Sequence, residues 1–245
     1  MSYWLAIESS SRRGTIALAK GGEIVAAYEL RDGRQHAAEL VPLARTLCRE
    51  HGIRPTELAG VMVSSGPGAF TGTRIGVTFA KTLATATGCQ LVAVDSSHVT
   101  ACNVLELGKT GKVMVVLDAR RGKVWADLVD ISADSKLLQP VARLGLCTPK
   151  QAVEAAFAAI ESPEPVIAIG EGLSYHDIAT NVPVDSSSRF SQVDAGHAFP
   201  NVRWLVKLGT IKARRNDYAD PAALSPLYVR LPEAVENRIQ SASLE

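Results

Sequence analysis

Three groups of residues in this chain of 245 residues have the types and spacing for chemistry. The first is Ser64-Ser65-Gly66-Pro67-Gly68, which leads on to Thr71-Gly72-Thr73. Glycine at 66, 68 and 72 permits backbone angles that other residues resist, and Pro67 stiffens the turn. A glycine turn between a strand and a helix presents backbone N–H groups that could meet a phosphate. The second group is a pair of carboxylates, Glu8 and Asp118, each closing an apolar run where an acid could face a nucleotide. The third is a further glycine loop, Gly170-Glu171-Gly172.

Each group also has a plainer reading. The turn at 66–68 matches no Walker loop in any register, and Thr71 stands where a Rossmann turn needs its third glycine. A strand-end carboxylate such as Glu8 is often just solvated, and Asp118 reads equally as a turn residue. Histidines occur at 36, 51, 98, 176 and 197, with no two spaced four apart as a helical metal pair requires. This argues against metal-bound catalysis and against a metalloprotease. Ser64, Ser65 and Thr71 have no neighbouring histidine to activate them, which argues against a serine hydrolase. Cys48, Cys89, Cys102 and Cys147 are scattered, so neither a zinc knuckle nor a disulfide framework is indicated.

The elements that must position these groups follow from hydrophobic periodicity. Tyr3 to Glu8, Thr15 to Ala19 and Glu23 to Leu30 read as a three-stranded meander, with a polar serine turn after Glu8 and Gly21-Gly22 between the second and third strands. Gln35 to Glu50 reads as a helix, with His36 at its start and Pro42 on its polar side as a kink or restart. Gly60 to Val63 is a buried strand before the glycine turn, and Thr71 onward to Thr87 is a helix. Gln90 to Val94 is another strand, and Asp95 or Ser96 can cap a helix reaching about Leu107. After Gly108–Gly111 the theme restarts, with strands at 112–118 and 123–131. A helix from Thr148-Pro149 to about Ile160 follows, then a strand at 165–170 and a polar irregular stretch at 182–193. A long helix over 195–215 precedes an extended end at 225–230. Two lobes that each open with a strand hairpin point to a duplicated α/β fold.

The helix after the glycine turn is apolar on more than one side. Ile75, Gly76, Val77, Phe79, Ala80, Leu83, Ala84 and Ala86 cover an arc of about 200°, against the stripe somewhat wider than about 100° of an ordinary surface helix. Either it lies buried within its own lobe, or one side packs on the sheet and the other on a partner protein. Composition limits the alternatives: 47% hydrophobic residues can fill real cores, and a net charge of +1 gives no polybasic field for nucleic acid. No run reaches membrane-spanning length, and the start MSYWLAIESS lacks the features of a signal peptide, so a cytoplasmic protein is expected.

Five segments in order carry a resemblance. They are LAIESS with the following GTIALA strand, HAAELVPL at 36–43, SGPGAFTGTRIG at 65–76, DARRGKV at 118–124 and PLYVR at 226–230. Together they resemble the TsaB (YeaZ) family of bacterial tRNA-modification proteins. The resemblance implies the actin/Hsp70/sugar-kinase superfamily fold, built from two ribonuclease H-like lobes. Residues 1–107 would form the N-terminal lobe and 108–196 the C-terminal lobe, with 197–231 packing across both and 232–245 a disordered tail. It further implies a non-catalytic, cytoplasmic subunit of tRNA N6-threonylcarbamoyladenosine synthesis. That subunit would pair with the catalytic paralogue TsaD and work beside TsaE, an ATPase. The contact would use the two N-lobe helices: His36, Leu40, Leu43 and Leu47 on the first, and Arg74, Ile75, Val77, Phe79, Ala80, Leu83 and Ala84 on the second.

In this fold the first strand usually ends in Asp; here it is Glu8, whose carboxylate is displaced by about one methylene, more than catalytic positioning tolerates. A vestigial nucleotide site would then comprise Glu8, Ser9, Gly66, Gly68, Asp118, Gly170 and Gly172, with no required cofactor and at most weak ATP or ADP binding. Contact with tRNA is expected to be indirect. The competing reading is an independent ATPase or small-molecule kinase using those same residues. A third is a homodimer whose helix pair binds its own copy until the true partner arrives.

Overall fold

The computed structural model describes residues 2–31, 36–134, 137–160 and 163–229. The expected tail at 232–245 lies outside the described residues, as do the last two residues of the segment 197–231 and the side chain of His36.

The meander forms as expected: β1 (Tyr3–Glu8), β2 (Thr15–Lys20) and β3 (Glu23–Glu29) pair antiparallel. After α1 (His36–Glu50), β4 (Gly60–Ser64) pairs parallel with β1. After α2 (Phe70–Thr87), β5 (Gln90–Val94) pairs parallel with β4. A short α3 (Ser96–Ala101) runs into a 3-10 turn at Cys102–Leu107. The second lobe repeats the plan: β6 (Gly111–Asp118), β7 (Val124–Ile131) and β8 (Leu138–Cys147) are antiparallel. Then come α4 (Pro149–Ala158), β9 (Val166–Ile169) and β10 (Phe190–Gln192), and the chain turns into α5 (Val202–Arg214). The sheet orders are β3-β2-β1-β4-β5 and β8-β7-β6-β9-β10, so corresponding strands hold corresponding places. This is the actin/Hsp70/sugar-kinase architecture of two ribonuclease H-like lobes.

Strand alternation divides the interior into three clusters. Leu5, Ile7, Ile16 and Leu18 point from the first sheet to α1 and α2, where they meet Leu40, Leu47, Val77 and Ala80. Their neighbours Ala6, Ala17 and Ala19 point to the centre of the molecule, against Leu205, Val206 and Leu208 of α5. The second sheet turns Val113, Val115 and Leu117 to that centre and Met114 and Val116 outward to α4. The central layer is exchanged: α3 packs on β6 and β7, whereas α5 packs across all five strands of the first sheet. Small residues make that crossing close, since a Cβ on Gly209 would sit 2.6 Å from Met62 Sδ.

Asp127 on β7 fixes α3 to the second lobe. It is 2% exposed and accepts hydrogen bonds from Ser97 Oγ at 2.6 Å and Trp125 Nε1 at 3.2 Å. Arg143 Nε stands 3.4 Å from its other oxygen, and the same guanidinium also pairs with Asp95. Asp95 occupies the N-cap position of α3 but makes no cap bond with its side chain. Its carboxylate serves the lobe junction instead.

Four local expectations change. Pro42 lies at an exposed position inside one continuous helix, α1, so the chain does not restart there. The strand β8 was not anticipated, because Pro140 and Gly145 obscure its pattern; as an edge strand it tolerates both. The short β10 pairs with β9 inside the stretch read as irregular. Helix α5 begins at Val202, capped by Asn201 Oδ1 on Arg203 N–H at 3.0 Å, because Ala195–His197 forms a separate turn capped by Asp194.

After α5 the chain returns along α2. Ala219 N–H donates to Leu91 O at 2.8 Å, Lys81 Nζ to Leu224 O at 2.6 Å, and Leu227 N–H to Ser65 O at 2.7 Å. Tyr228 then stacks on Phe70 with ring centroids 4.9 Å apart.

Candidate functional site

Between the lobes lies a cleft of about 750 Å³. The β1–β2 turn contributes Ser11 and Arg12, and the start of α2 contributes Gly68 to Thr71. The β6–β7 turn contributes Asp118 to Arg120, the turn after β9 brings Glu171 and Tyr175, and the returning C-terminal segment adds Tyr228 and Val229. Arg12 Nη2 reaches across to donate to Tyr175 Oη at 2.7 Å, and the Arg120 guanidinium lies over the same ring at 6.0 Å.

Asp118 belongs to this cleft. Its side chain is 8% exposed, so it is no solvated turn residue. One oxygen accepts the Arg120 N–H at 3.0 Å and faces His176 Nε2 at 3.0 Å, while the other meets Arg120 Nε at 3.3 Å. His176, Tyr175, Arg12 and Tyr228 carried no signal as site residues in the sequence. Tyr175 and His176 share the turn after β9, whereas Arg12 lies in the β1–β2 turn and Tyr228 in the returning C-terminal segment, and only the closing of the two lobes brings the three segments together. Glu171 also lines the cleft, and its burial pushes the carboxyl pKa upward.

Glu8 does not line the cleft. It is fully buried beneath the serine turn and accepts hydrogen bonds from Ser10 N–H at 2.8 Å, Ser10 Oγ at 2.5 Å and Ser64 Oγ. Burial outweighs those bonds and raises its pKa. The expected nucleotide-facing acid is thus a structural tie between the β1–β2 turn and the end of β4. Ser9 is likewise internal: its Oγ donates to Gly72 O at 2.9 Å, and a Cβ on Gly76 would stand 2.2 Å from it.

The four glycines read as loop glycines are explained by close approach of the chain to itself. A Cβ at Gly66 would meet Leu227 O at 2.5 Å, and one at Gly68 would meet Ser10 O at 2.2 Å. At Gly170 it would meet Val116 O at 2.3 Å, and at Gly172 Val116 Cγ1 at 2.8 Å. Their missing side chains make room for the protein's own atoms, not for a ligand's. Of the seven residues expected at a vestigial nucleotide site, Asp118 and Gly68 line the cleft. Among the described residues no cluster of His, Cys, Asp or Glu has the makeup of a metal site.

The second candidate surface is the outer layer of α1 and α2. Leu40, Leu47, Val77, Ala80 and Ala84 point into the lobe's own core, each under 4% exposed. As surface contacts they are corrected: the sheet claims them, which is the plainer of the two readings of the broad apolar arc. Leu43, Ile75, Phe79 and Leu83 are half-buried against the same core, leaving an apolar strip in reach of solvent. Arg74 is exposed with its guanidinium over the Phe70 ring at 5.1 Å. Val41 and Phe70, 52% and 43% exposed, extend the layer and were not singled out in the sequence.

Residues 29–214 match the family profile described as TsaD, tRNA N6-adenosine threonylcarbamoyltransferase. The chain is 31% identical over 240 residues to the tRNA threonylcarbamoyladenosine biosynthesis protein TsaB of Bacillus subtilis, covering 97% of this chain and 98% of that one. The chain belongs to the TsaB (YeaZ) family. The TsaB of Escherichia coli is 29% identical over half of this chain. YeaZ from Pseudomonas aeruginosa superposes with a TM-score of 0.76 over 93% of this chain and all of that one, at 22% identity, and so shares the fold. Family membership assigns this TsaB-family chain to tRNA threonylcarbamoyladenosine biosynthesis. Among the described residues no helix is long and apolar enough to cross a membrane.

Proposed function

We propose that this chain is a non-catalytic scaffold subunit of tRNA N6-threonylcarbamoyladenosine synthesis. It holds a TsaD-like catalytic paralogue against the outer face of α1 and α2, with a TsaE-like ATPase as third component. The observation that carries this reading is the half-buried strip Leu43, Ile75, Phe79 and Leu83 on two adjacent helices. A strip that the monomer leaves partly open gains most by packing against a second helix pair. Contact with tRNA is indirect, in keeping with a net charge of +1. The cleft is retained without turnover: its one paired acid, Asp118, is already engaged by Arg120 and His176. Binding of ATP or ADP there is weak and no cofactor is required.

The test is threonylcarbamoyl transfer to unmodified tRNA by the purified TsaD-like partner, with the TsaE-like ATPase and activated substrate, with and without this chain. Complex formation is followed by size in the same samples. Transfer that depends on this chain together with a heteromeric complex supports the reading. Transfer indifferent to it, with no complex, overturns it. An independent kinase or ATPase is the second reading, favoured by an interlobe cleft of about 750 Å³ with both Asp118 and Glu171 in its wall. Magnesium-dependent ATP turnover by the pure chain, lost on Asp118→Ala, would establish it in place of the first.

A further inference from the structure

The cleft between the lobes holds two features that the Asp118 ion pair leaves unused. One is positive charge from both lobes. Arg12 of the β1–β2 turn and Arg120 of the β6–β7 turn converge on Tyr175: Arg12 Nη2 donates to its Oη at 2.7 Å, and the Arg120 guanidinium lies 6.0 Å from its ring centroid. A guanidinium has five N–H donors. Tyr175 Oη engages one from Arg12 and Asp118 engages Nε of Arg120, and no other acceptor among the described residues holds the rest. The other feature is aromatic surface. Among the described residues four aromatic side chains are exposed, Phe70, Tyr175, Tyr218 and Tyr228, and three of them line this cleft. Open rings gathered in one concave place mark a binding site.

Taking the cleft as retained without turnover, as in the scaffold reading above, we propose that it binds a ring-bearing polyphosphate, of the class of a nucleoside diphosphate, as the metal-free anion. Arg12 and Arg120 bracket the phosphates from opposite lobes. Guanidinium–phosphate bonds are among the strong ones, because the planar fork matches the phosphate oxygens. Phe70, Tyr175 and Tyr228 supply the surface on which a heterocycle stacks. A divalent cation has no comparable place. Such a cation is held by carboxylate oxygens. Both oxygens of Asp118 are taken, one by Arg120 N–H and His176 Nε2 and the other by Arg120 Nε. The second acid of the wall, Glu171, is held toward its neutral form by burial and by the nearby Asp118 charge, against the pull of Arg12 and Arg120. A cation riding on the phosphates would also meet two guanidiniums of like charge.

The experiment measures binding of ADP, inorganic pyrophosphate and adenosine to the full chain by calorimetry, in EDTA and with excess magnesium, for wild type, R12Q, Y228A and D118N/R120Q. The double variant removes the Arg120 guanidinium without leaving the Asp118 charge unpaired, and thermal melts check that each variant is folded. In EDTA, ADP is expected to bind more tightly than pyrophosphate, and adenosine not measurably. Magnesium is expected to weaken ADP binding several-fold. R12Q and D118N/R120Q are each expected to weaken both phosphate ligands about tenfold, and Y228A to weaken ADP alone, several-fold. Pyrophosphate that binds wild type as tightly as ADP overturns the role of the rings and assigns the site to free polyphosphate. Failure of both phosphates to bind in EDTA, binding that magnesium strengthens, or full affinity in both arginine variants overturns the inference. Such a result beside threonylcarbamoyl transfer that depends on this chain leaves the scaffold reading standing. ADP bound as expected, beside transfer indifferent to this chain, sinks the scaffold reading and leaves the cleft its ligand.

Discussion

The two sheets have the same strand order, yet the segments that join corresponding strands differ. In the first lobe β3 leads to β4 through α1 of 15 residues, and β4 leads to β5 through α2 of 18. In the second lobe the first crossover is α4, of 10 residues, and the second is a series of 3-10 turns, Glu171–Ser174, Ala179–Asn181 and Val184–Arg189. A long helix buries one side on the sheet and leaves the other partly open. A chain of tight turns has no such side, but its first turn brings Glu171, Tyr175 and His176 to the cleft. One topology therefore gives a partly open outer helix layer in one lobe and a cleft wall in the other. Which of the two a crossover supplies depends on its length and periodicity, not on the strands it connects.

The sharpest way to break this comparison is to reverse inside and outside on α2. Ala80 is fully buried, so Ala80→Arg is expected to cost about 4 kcal/mol or more and to prevent folding. Leu83 is half-buried, and Leu83→Arg is expected to cost only about 1 kcal/mol while weakening partner binding roughly a hundredfold. Urea melts and a binding titration of both variants decide it. A folded Ala80→Arg protein would contradict the inward placement of that side.

The link between lobes comes next in size. Asp127→Ala leaves Ser97, Trp125 and Arg143 without their shared acceptor, and the expected loss is about 2–3 kcal/mol, moderated by the partial exposure of Arg143. Denaturant midpoints measure it. A change below about 0.5 kcal/mol would mean that the apolar central layer alone fixes α3 on the second sheet.

The smallest expected effect concerns Glu8. Its pKa is raised on folding, so its contribution to stability is fully present below the unfolded pKa and is lost as pH rises through the folded pKa. Protonated, it can donate to a serine hydroxyl that otherwise donates to it. Glu8→Gln keeps a neutral group there at all pH values. The wild type is therefore expected to lose melting temperature relative to the variant as pH rises from about 4 to about 8. Parallel curves would show that folding leaves the Glu8 pKa unshifted. ADP affinity of the cleft should be the same in both proteins, because Glu8 does not line it.

Much of this was legible in the sequence. The strands Tyr3–Glu8 and Gln90–Val94 and the helix ending at Glu50 were readable within a residue, because hydrophobic period and turn residues agree there. The glycine run 65–76 with its companion segments pointed to the family. Edge strand β8 was not legible, since half-exposed pairing leaves little apolar alternation and Pro140 argues against a strand. The roles of individual site residues were less legible still. A carboxylate at the end of β1 and one at the end of β6 look alike in sequence, but Glu8 lies under a serine turn and Asp118 opens on the cleft.

The sequence alone determined the local elements, the duplicated strand–helix plan and the family, because these rest on periodicity and on short contiguous motifs. The tertiary structure decided which side of α2 meets the sheet and which glycines are filled by the protein's own backbone. It also decided that Asp118 and His176, 58 residues apart, share a hydrogen bond. Such facts depend on which distant surfaces meet when two sheets close around α3 and α5, and no local pattern of residues encodes that meeting.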